Sequence, residues 1–188
     1  MSRVTLSTIQ GNTAANVVTL ASGTSFVAPG MVVQTIWART DAKSVYSTSS
    51  SGDGTTITDM NIAITPRYAS SLLLITWMIN GEMAQDNTFT AHINGAMITT
   101  VGYQPYNIDV GNFFYSGFAA GYYDQNTDST PTNYVIQYAV PAVNTTARTY
   151  APAVRGGNTF TLNRPIGSTG QDAYETGIST GTIMEIAQ

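Results

Sequence analysis

Apolar side chains recur at every second position along much of this chain, and that spacing constrains the fold more than any other feature. The alternating sets are Met60, Ile62 and Ile64; Phe89, Ala91 and Ile93; and Tyr134, Ile136, Tyr138 and Val140. Successive side chains of a β-strand point to opposite faces of a sheet, so each set predicts a strand with one face on a core.

The composition favours strands as well. The strong helix formers are scarce, with six Leu, three Glu and one Lys, whereas Thr alone occurs 29 times. No stretch of 12 residues carries apolar side chains at helical spacing with capping residues at its ends. The chain is therefore predicted to be all-β, an antiparallel β-sandwich that is jelly-roll-like, with an immunoglobulin-like sandwich as the alternative.

Turn residues divide the chain into two parts. Pro29-Gly30 separates an extended N-terminal arm, residues 1–30, from a β-sandwich domain at residues 31–188. Asn94-Gly95 predicts a type I′ hairpin turn. Exposed loops are predicted at 49–54, 124–131 and 155–158. Strands are predicted near 4–9, 16–20, 31–40, 44–48, 57–64, 72–79, 88–93, 96–101, 113–119, 133–140, 159–162 and 178–187.

Two segments are apolar on both faces. They are Leu72 to Ile79, interrupted only by Thr76, and the less pure Met31 to Trp37. A strand of this kind is predicted to lie centrally and to be covered on both sides, either by the chain's own arm or by a neighbouring subunit.

The residues that usually carry catalysis are nearly missing from the sequence. There is no cysteine, and the one histidine, His92, lies on the polar side of its strand, where we expect a solvated or interface residue. Glu185 is expected to face solvent in the last strand. Asp124 to Asp128 copies the first half of a calcium-binding EF-hand loop, but the glycine and the final glutamate of that loop are missing. We predict no enzymatic activity, no cofactor and no metal site.

The charge balance restricts the possible partners. The formal net charge is −4, and 10% of the residues are charged, which argues against a nucleic-acid footprint. The longest apolar run is far shorter than the roughly 20 residues of a membrane span, and the N-terminus has no signal-peptide pattern. We expect a protein made in a reducing cytoplasm.

Aromatic side chains cluster in the middle third of the chain. Tyr103, Tyr106, Tyr122 and Tyr123 are the candidates for an interface or a ligand-binding surface. Tyrosine among Asn, Gln and Asp suits either a protein interface or a glycan site, and an interface is favoured.

Three stretches of sequence resemble those of a known group of proteins. They are Gly30 to Gln34, Ile64 to Ile75 and Ser179 to Ile186. Across about residues 30–188 they resemble virion structural proteins of tailed bacteriophages, cyanophage-like ones among them, including decoration proteins and tail-fibre-like tip domains. The resemblance implies a jelly-roll-type sandwich that assembles as a homo-oligomer, with a trimer favoured.

Together these features predict a non-enzymatic virion structural protein, a capsid decoration (cement) protein that binds the head shell through the major capsid protein or another virion protein. The alternative is a receptor-binding tail-fibre or head-fibre tip that recognises a host-surface glycan. In either case the protein is expected in the virion, after synthesis in the host cytoplasm.

Overall fold

The computed structural model describes residues 26–48, 52–83, 87–98, 108–110, 113–115, 118–120, 131–167 and 175–188. These residues form fourteen strands and one short 3₁₀ turn at Thr58–Met60. The strands are β1 (Val32–Thr40), β2 (Val45–Ser47), β3 (Thr55–Thr56), β4 (Ile62–Ile64), β5 (Leu72–Met83), β6 (Asn87–Ile93), β7 (Ala96–Met97), β8 (Ile108–Val110), β9 (Phe113–Tyr115), β10 (Phe118–Ala120), β11 (Thr132–Pro141), β12 (Arg148–Gly156), β13 (Thr159–Leu162) and β14 (Ser179–Ile186).

The first sheet is built around β5. Strands β14 and β13 lie end to end along one edge of β5, and β11 pairs with the other edge over its whole length. Strand β1 pairs with β14, and β2 pairs with β13. Every pairing is antiparallel, so the long part of this sheet has the order β1-β14-β5-β11.

The second sheet is built around β6 and β12, which pair with each other over seven residues. Strands β3 and β4 pair with the far edge of β12, and β7 and β10 pair with the far edge of β6. Strands β8 and β9 pair separately. The all-β antiparallel sandwich is thus confirmed, whereas the choice between a jelly roll and an immunoglobulin-like order stays a prediction.

The core lies between the two sheets. Leu73, Ile75, Trp77 and Ile79 of β5 alternate inward and are fully buried. They share one apolar cluster with residues of the second sheet such as Phe89. The Phe89 ring lies edge-on to that of Phe160, with ring centroids 5.6 Å apart. Burying large apolar and aromatic side chains across the gap is what holds the two sheets together.

For the strand predicted at 57–64, the buried side chains are predicted correctly, but the backbone conformation at its start is not. Met60, Ile62 and Ile64 are buried, as predicted. However, backbone bonds from Met60 to Ile57 and from Asn61 to Thr58 close a 3₁₀ turn, so only Ile62–Ile64 is a strand. The predicted turn at Asn94-Gly95 is confirmed, because both residues have positive φ, 51° and 83°.

Strand β12 was not predicted, and the exposed loop predicted at 155–158 is wrong in its first half. Pro152 lies in the middle of β12 and has no N–H to donate. It falls between the stretches that pair with β3 and β4, where its carbonyl accepts a hydrogen bond from the Ile57 N–H (2.9 Å) and no donor is required. Arg155 and Gly156 continue the strand and are buried.

Candidate interaction surface

The first sheet has an outer face that points away from the core. We call the outward side chains of β1, β14, β5 and β11 the β1–β11 face. On each strand they alternate with inward neighbours that are less exposed, so their direction follows from the pleat. As far as Asn80 on β5, its members are Val32, Thr35, Trp37, Arg39, Leu72, Leu74, Thr76, Met78, Asn80, Asn133, Val135, Gln137, Ala139, Pro141, Thr180, Thr182, Met184 and Ile186.

The register of the four strands aligns these side chains in rows. Trp37 stands opposite Thr182, which stands opposite Thr76 and then Gln137. In the next row, Met78 and Val135 are adjacent. Trp37, Met78 and Val135 are 60%, 51% and 55% exposed, respectively. The face therefore presents large apolar side chains to solvent in two adjoining rows.

This face carries almost no charge. Arg39 is its only charged member, and the remaining polar members are threonines, one glutamine and two asparagines. The Gln137 side chain already donates a hydrogen bond to the Thr76 hydroxyl (3.1 Å) on the same face. Covering the face would desolvate few ionic groups, which suits a protein partner and offers little to a polyanion.

For the two-sided segment at 72–79, the predicted central position is confirmed but the predicted covering of its outer side is not. Strand β5 is central, because it has partners on both edges. Its outer side chains, however, are partly or largely exposed, and those of β1 are too. Within the described part of the chain, the second apolar face of these strands is open to solvent. The predicted covering by the chain's own arm or by a neighbouring subunit stays a prediction.

The outer face of the second sheet has the opposite character. Thr90, His92, Ala151, Ala153 and Arg155 all point outward from the core, yet all are buried. Most of the described side chains on this face are small or polar; Met97, opposite His92, is the large apolar exception among them.

His92 shows how this burial is achieved, and the prediction of a solvated histidine is wrong. The side chain is 2% exposed. Its Nε2 lies 2.9 Å from the carbonyl oxygen of Asp53, and its Nδ1 lies 2.7 Å from the Thr56 hydroxyl. Because a carbonyl only accepts, Nε2 carries the proton and Nδ1 accepts from Thr56. Both ring nitrogens hold the 53–56 segment in place, and neither is left for acid-base catalysis.

Glu185 was predicted to face solvent, and that prediction is also wrong, since the residue is completely buried. Its carboxylate accepts hydrogen bonds from the Arg67 and Tyr68 backbone N–H groups (2.9 Å each) and from the Ser71 hydroxyl (2.5 Å). The Gln34 side-chain amide also donates to it, at 2.5 Å. Burial alone would raise the pKa of Glu185, but these hydrogen bonds stabilise the charged form and hold its pKa below the usual range.

Two other described acidic groups, Asp59 and Glu82, are likewise engaged in local structure. The Asp59 carboxylate accepts hydrogen bonds from Ser44 and from the Tyr46 hydroxyl, the latter at 2.8 Å. Burial and the contact with Asp59 raise the pKa of Tyr46. Glu82 is buried and accepts a hydrogen bond from the Ile166 N–H (2.5 Å). Among the residues that the structure describes, no three His, Asp or Glu side chains converge as a metal site would require.

The four tyrosines singled out from the sequence, Tyr103, Tyr106, Tyr122 and Tyr123, lie outside the described residues. So do the EF-hand-like stretch at 124–128 and the predicted strands at 4–9 and 16–20. The sequence did not single out the β1–β11 face as a functional surface. The sequence features that could have indicated it are the two segments that are apolar on both faces and the apolar residues at outward positions of β11, such as Val135.

A scan against protein-family models finds no match for this chain, and a search of curated proteins finds none either. In the described ranges of the chain, no helix has the length and apolarity to cross a membrane.

Proposed function

We propose that this chain is a non-enzymatic structural protein of a tailed-phage virion, a capsid decoration protein that binds the head shell and stabilises it as a homo-oligomer. Its partner is the major capsid protein or another virion protein. The resemblance in residues 30–188 suggests the virion, and the β1–β11 face supplies the means of attachment.

The observation that carries this proposal is the exposure of Trp37, Met78 and Val135 on one nearly uncharged sheet face. An apolar patch of this kind gives a monomer no stability, but it releases ordered water when a partner covers it. A decoration protein does mechanical work in this way, because binding to the assembled shell, and not to its separated subunits, stabilises the shell by mass action.

The described acidic and histidine side chains support a structural role. His92 and Glu185 hold loops through hydrogen bonds, and Asp59 binds two hydroxyls of the β2 region. The alternative function, glycan recognition by a fibre tip, was based on four tyrosines outside the described residues, so none of the contacts described above favours it.

The test is co-sedimentation of the purified chain with expanded capsid shells from the phage that carries its gene. The wild-type chain is expected to sediment with the shells, and the double variant Trp37→Ser, Met78→Ser is expected to stay in the supernatant. The matched control is Val143→Ser, because Val143 is also 60% exposed but lies in the loop after β11. That variant should bind like the wild type.

Two results would overturn the proposal. If the wild-type chain does not sediment with shells at micromolar concentration, it is no decoration protein. If the double variant binds as well as the wild type, the β1–β11 face is not the attachment surface. A circular dichroism spectrum of each variant checks that loss of binding does not reflect unfolding.

A further inference from the structure

The long part of the first sheet ends in two open edges. Strand β1 has nine residues and pairs only with β14 among the described strands. Strand β11 has ten residues and pairs only with β5 among them. An open edge presents a row of backbone N–H and C=O groups that can pair with another strand.

Both edges carry little of the usual protection against such pairing. Natural edge strands are kept apart by lysines, by prolines within the strand, by bulges or by very short length. Strand β11 has no charged residue, and its single proline, Pro141, stands at its last position. Strand β1 has one charged residue, Arg39, and one irregularity, between Val32 and Gln34 at its start. As far as the described strands are concerned, most of each edge is therefore available for pairing.

The strand directions match these two edges to each other. Each strand in the order β1-β14-β5-β11 runs opposite to its neighbour, so β1 and β11 run in opposite directions. When a second copy is placed beside the first in the same orientation, β11 of one copy meets β1 of the next as an antiparallel pair. In the extended sheet that results, the core-facing sides of the two copies lie on one side and their outer faces lie on the other.

We propose that copies of this chain pair edge to edge, β11 of one copy with β1 of the next, and that this head-to-tail contact closes into a ring. One repeated interface then uses both open edges, whereas a β1–β1 contact would leave β11 exposed. A head-to-tail contact forms a ring when its rotation closes, and a ring leaves no free edge. This contact would form the homo-oligomer of the proposed function and so rests on that part of it, and it leaves the β1–β11 face free for a different partner.

The absence of cysteine makes a clean cross-linking test possible. Residues directly opposite on neighbouring antiparallel strands have Cβ atoms about 4.5–5.5 Å apart, close enough for engineered disulfides. The variants combine Thr35→Cys on β1 with one cysteine on β11, at Val135, Gln137 or Ala139. These three positions share the outer side of β11 and sample three registers.

We expect at least one double variant to give, after mild oxidation, a ladder of bands that stops at a single size. The mass of the cysteine-free wild type by light scattering should be the same multiple of 20.0 kDa. The control is Thr180→Cys with Gln137→Cys, in which the β1 cysteine is replaced by one on the central strand β14; it should give no ladder.

The remaining outcomes overturn the inference. A monomeric wild type, or no ladder from any of the three double variants, excludes edge pairing. A dimer formed by Thr35→Cys alone shows β1–β1 pairing, and a ladder that continues without limit shows an open filament. Because the test contains no capsid shells, its failure leaves the co-sedimentation result unaffected.

Discussion

The outer faces of the two sheets differ in both composition and exposure. On the first sheet, the outward side chains include Trp37, Met78 and Val135, and these are more than half exposed. On the second sheet, most of the described outward side chains are small or polar, and Ala153 and His92 are buried. The molecule thus exposes apolar groups on one side and buries polar groups on the other.

This difference shows which face belongs to the fold and which is available to a partner. Buried groups such as His92 have hydrogen-bonding partners inside the chain, so changing them should destabilise the monomer. Exposed apolar groups contribute little to monomer stability, and their burial is worth most when a partner covers them. The predictions below compare positions on the two faces and on the two sides of one strand.

The largest effect is expected on the inner side of β14. Glu185→Gln should lower the free energy of unfolding by about 3 kcal/mol, because an amide cannot accept all the donors that the carboxylate satisfies. The matched change on the outer side, Met184→Gln, should cost less than about 1 kcal/mol. Urea denaturation at pH 7 measures both; equal costs would contradict the assignment of inner and outer sides.

The same residue predicts a pH dependence. The folded-state pKa of Glu185 lies below its ordinary value of 4.5. Its contribution to stability is therefore fully present above pH 4.5, and it is lost as the pH falls through the lowered pKa. The wild type should lose more stability than Glu185→Gln between pH 5 and pH 2. Urea denaturation curves recorded at intervals of about half a pH unit measure the difference. Parallel curves for the two proteins would show that this carboxylate is not held in its charged form.

A second comparison uses one alanine on each outer face. Ala153→Leu on the second sheet should cost about 2 kcal/mol, because three added carbons must enter a fully buried site. Ala139→Leu on the first sheet should change the free energy of unfolding by less than about 0.5 kcal/mol, since Ala139 is exposed. Thermal unfolding of the two variants checks this. A large cost at both positions would mean that the first sheet is also covered within the chain.

His92→Leu tests how the second outer face is held. The leucine fills a similar volume but leaves the Asp53 carbonyl and the Thr56 hydroxyl without their partner, at a cost of about 1.5 kcal/mol. The 53–56 segment should then become more sensitive to limited proteolysis than in the wild type. Unchanged stability and unchanged proteolysis would show that these two hydrogen bonds do not anchor the segment.

The smallest effect on the monomer is expected at Trp37, a large side chain that is 60% exposed. Trp37→Ser should alter the free energy of unfolding by less than about 0.5 kcal/mol while weakening attachment to shells. Urea denaturation monitored by circular dichroism gives the first quantity, and titration of shells gives the second. A cost of 2 kcal/mol or more in the isolated chain would place Trp37 in the fold and not in an interface.

Local patterns predicted the regular strands well. In β11, Ile136, Tyr138 and Val140 are buried and their alternating neighbours are exposed, because the period of two is intrinsic to the pleat. Asn94-Gly95 was predictable for a similar reason, since few other pairs of residues adopt two consecutive positive φ angles.

Features that depend on distant partners could not be predicted in this way. Pro152 argued against a strand, and only the gap between β3 and β4 makes it acceptable there. Both neighbours of Glu185 are apolar, so the alternation could not decide its side, and its donors come from residues more than 100 positions away. For His92, likewise, the deciding contacts lie in the 53–56 segment.

The central claim is that the β1–β11 face becomes covered when the protein assembles on its shell. Hydroxyl-radical footprinting tests it most directly, because Trp37 and Met78 both lie on this face, are exposed and oxidise readily. Oxidation should be compared between the isolated chain and the chain bound to expanded shells, with exposed Tyr68 outside the face as the reference. The account predicts that Trp37 and Met78 are oxidised in the isolated chain and protected on shells. Equal oxidation of both residues in the two states would contradict it.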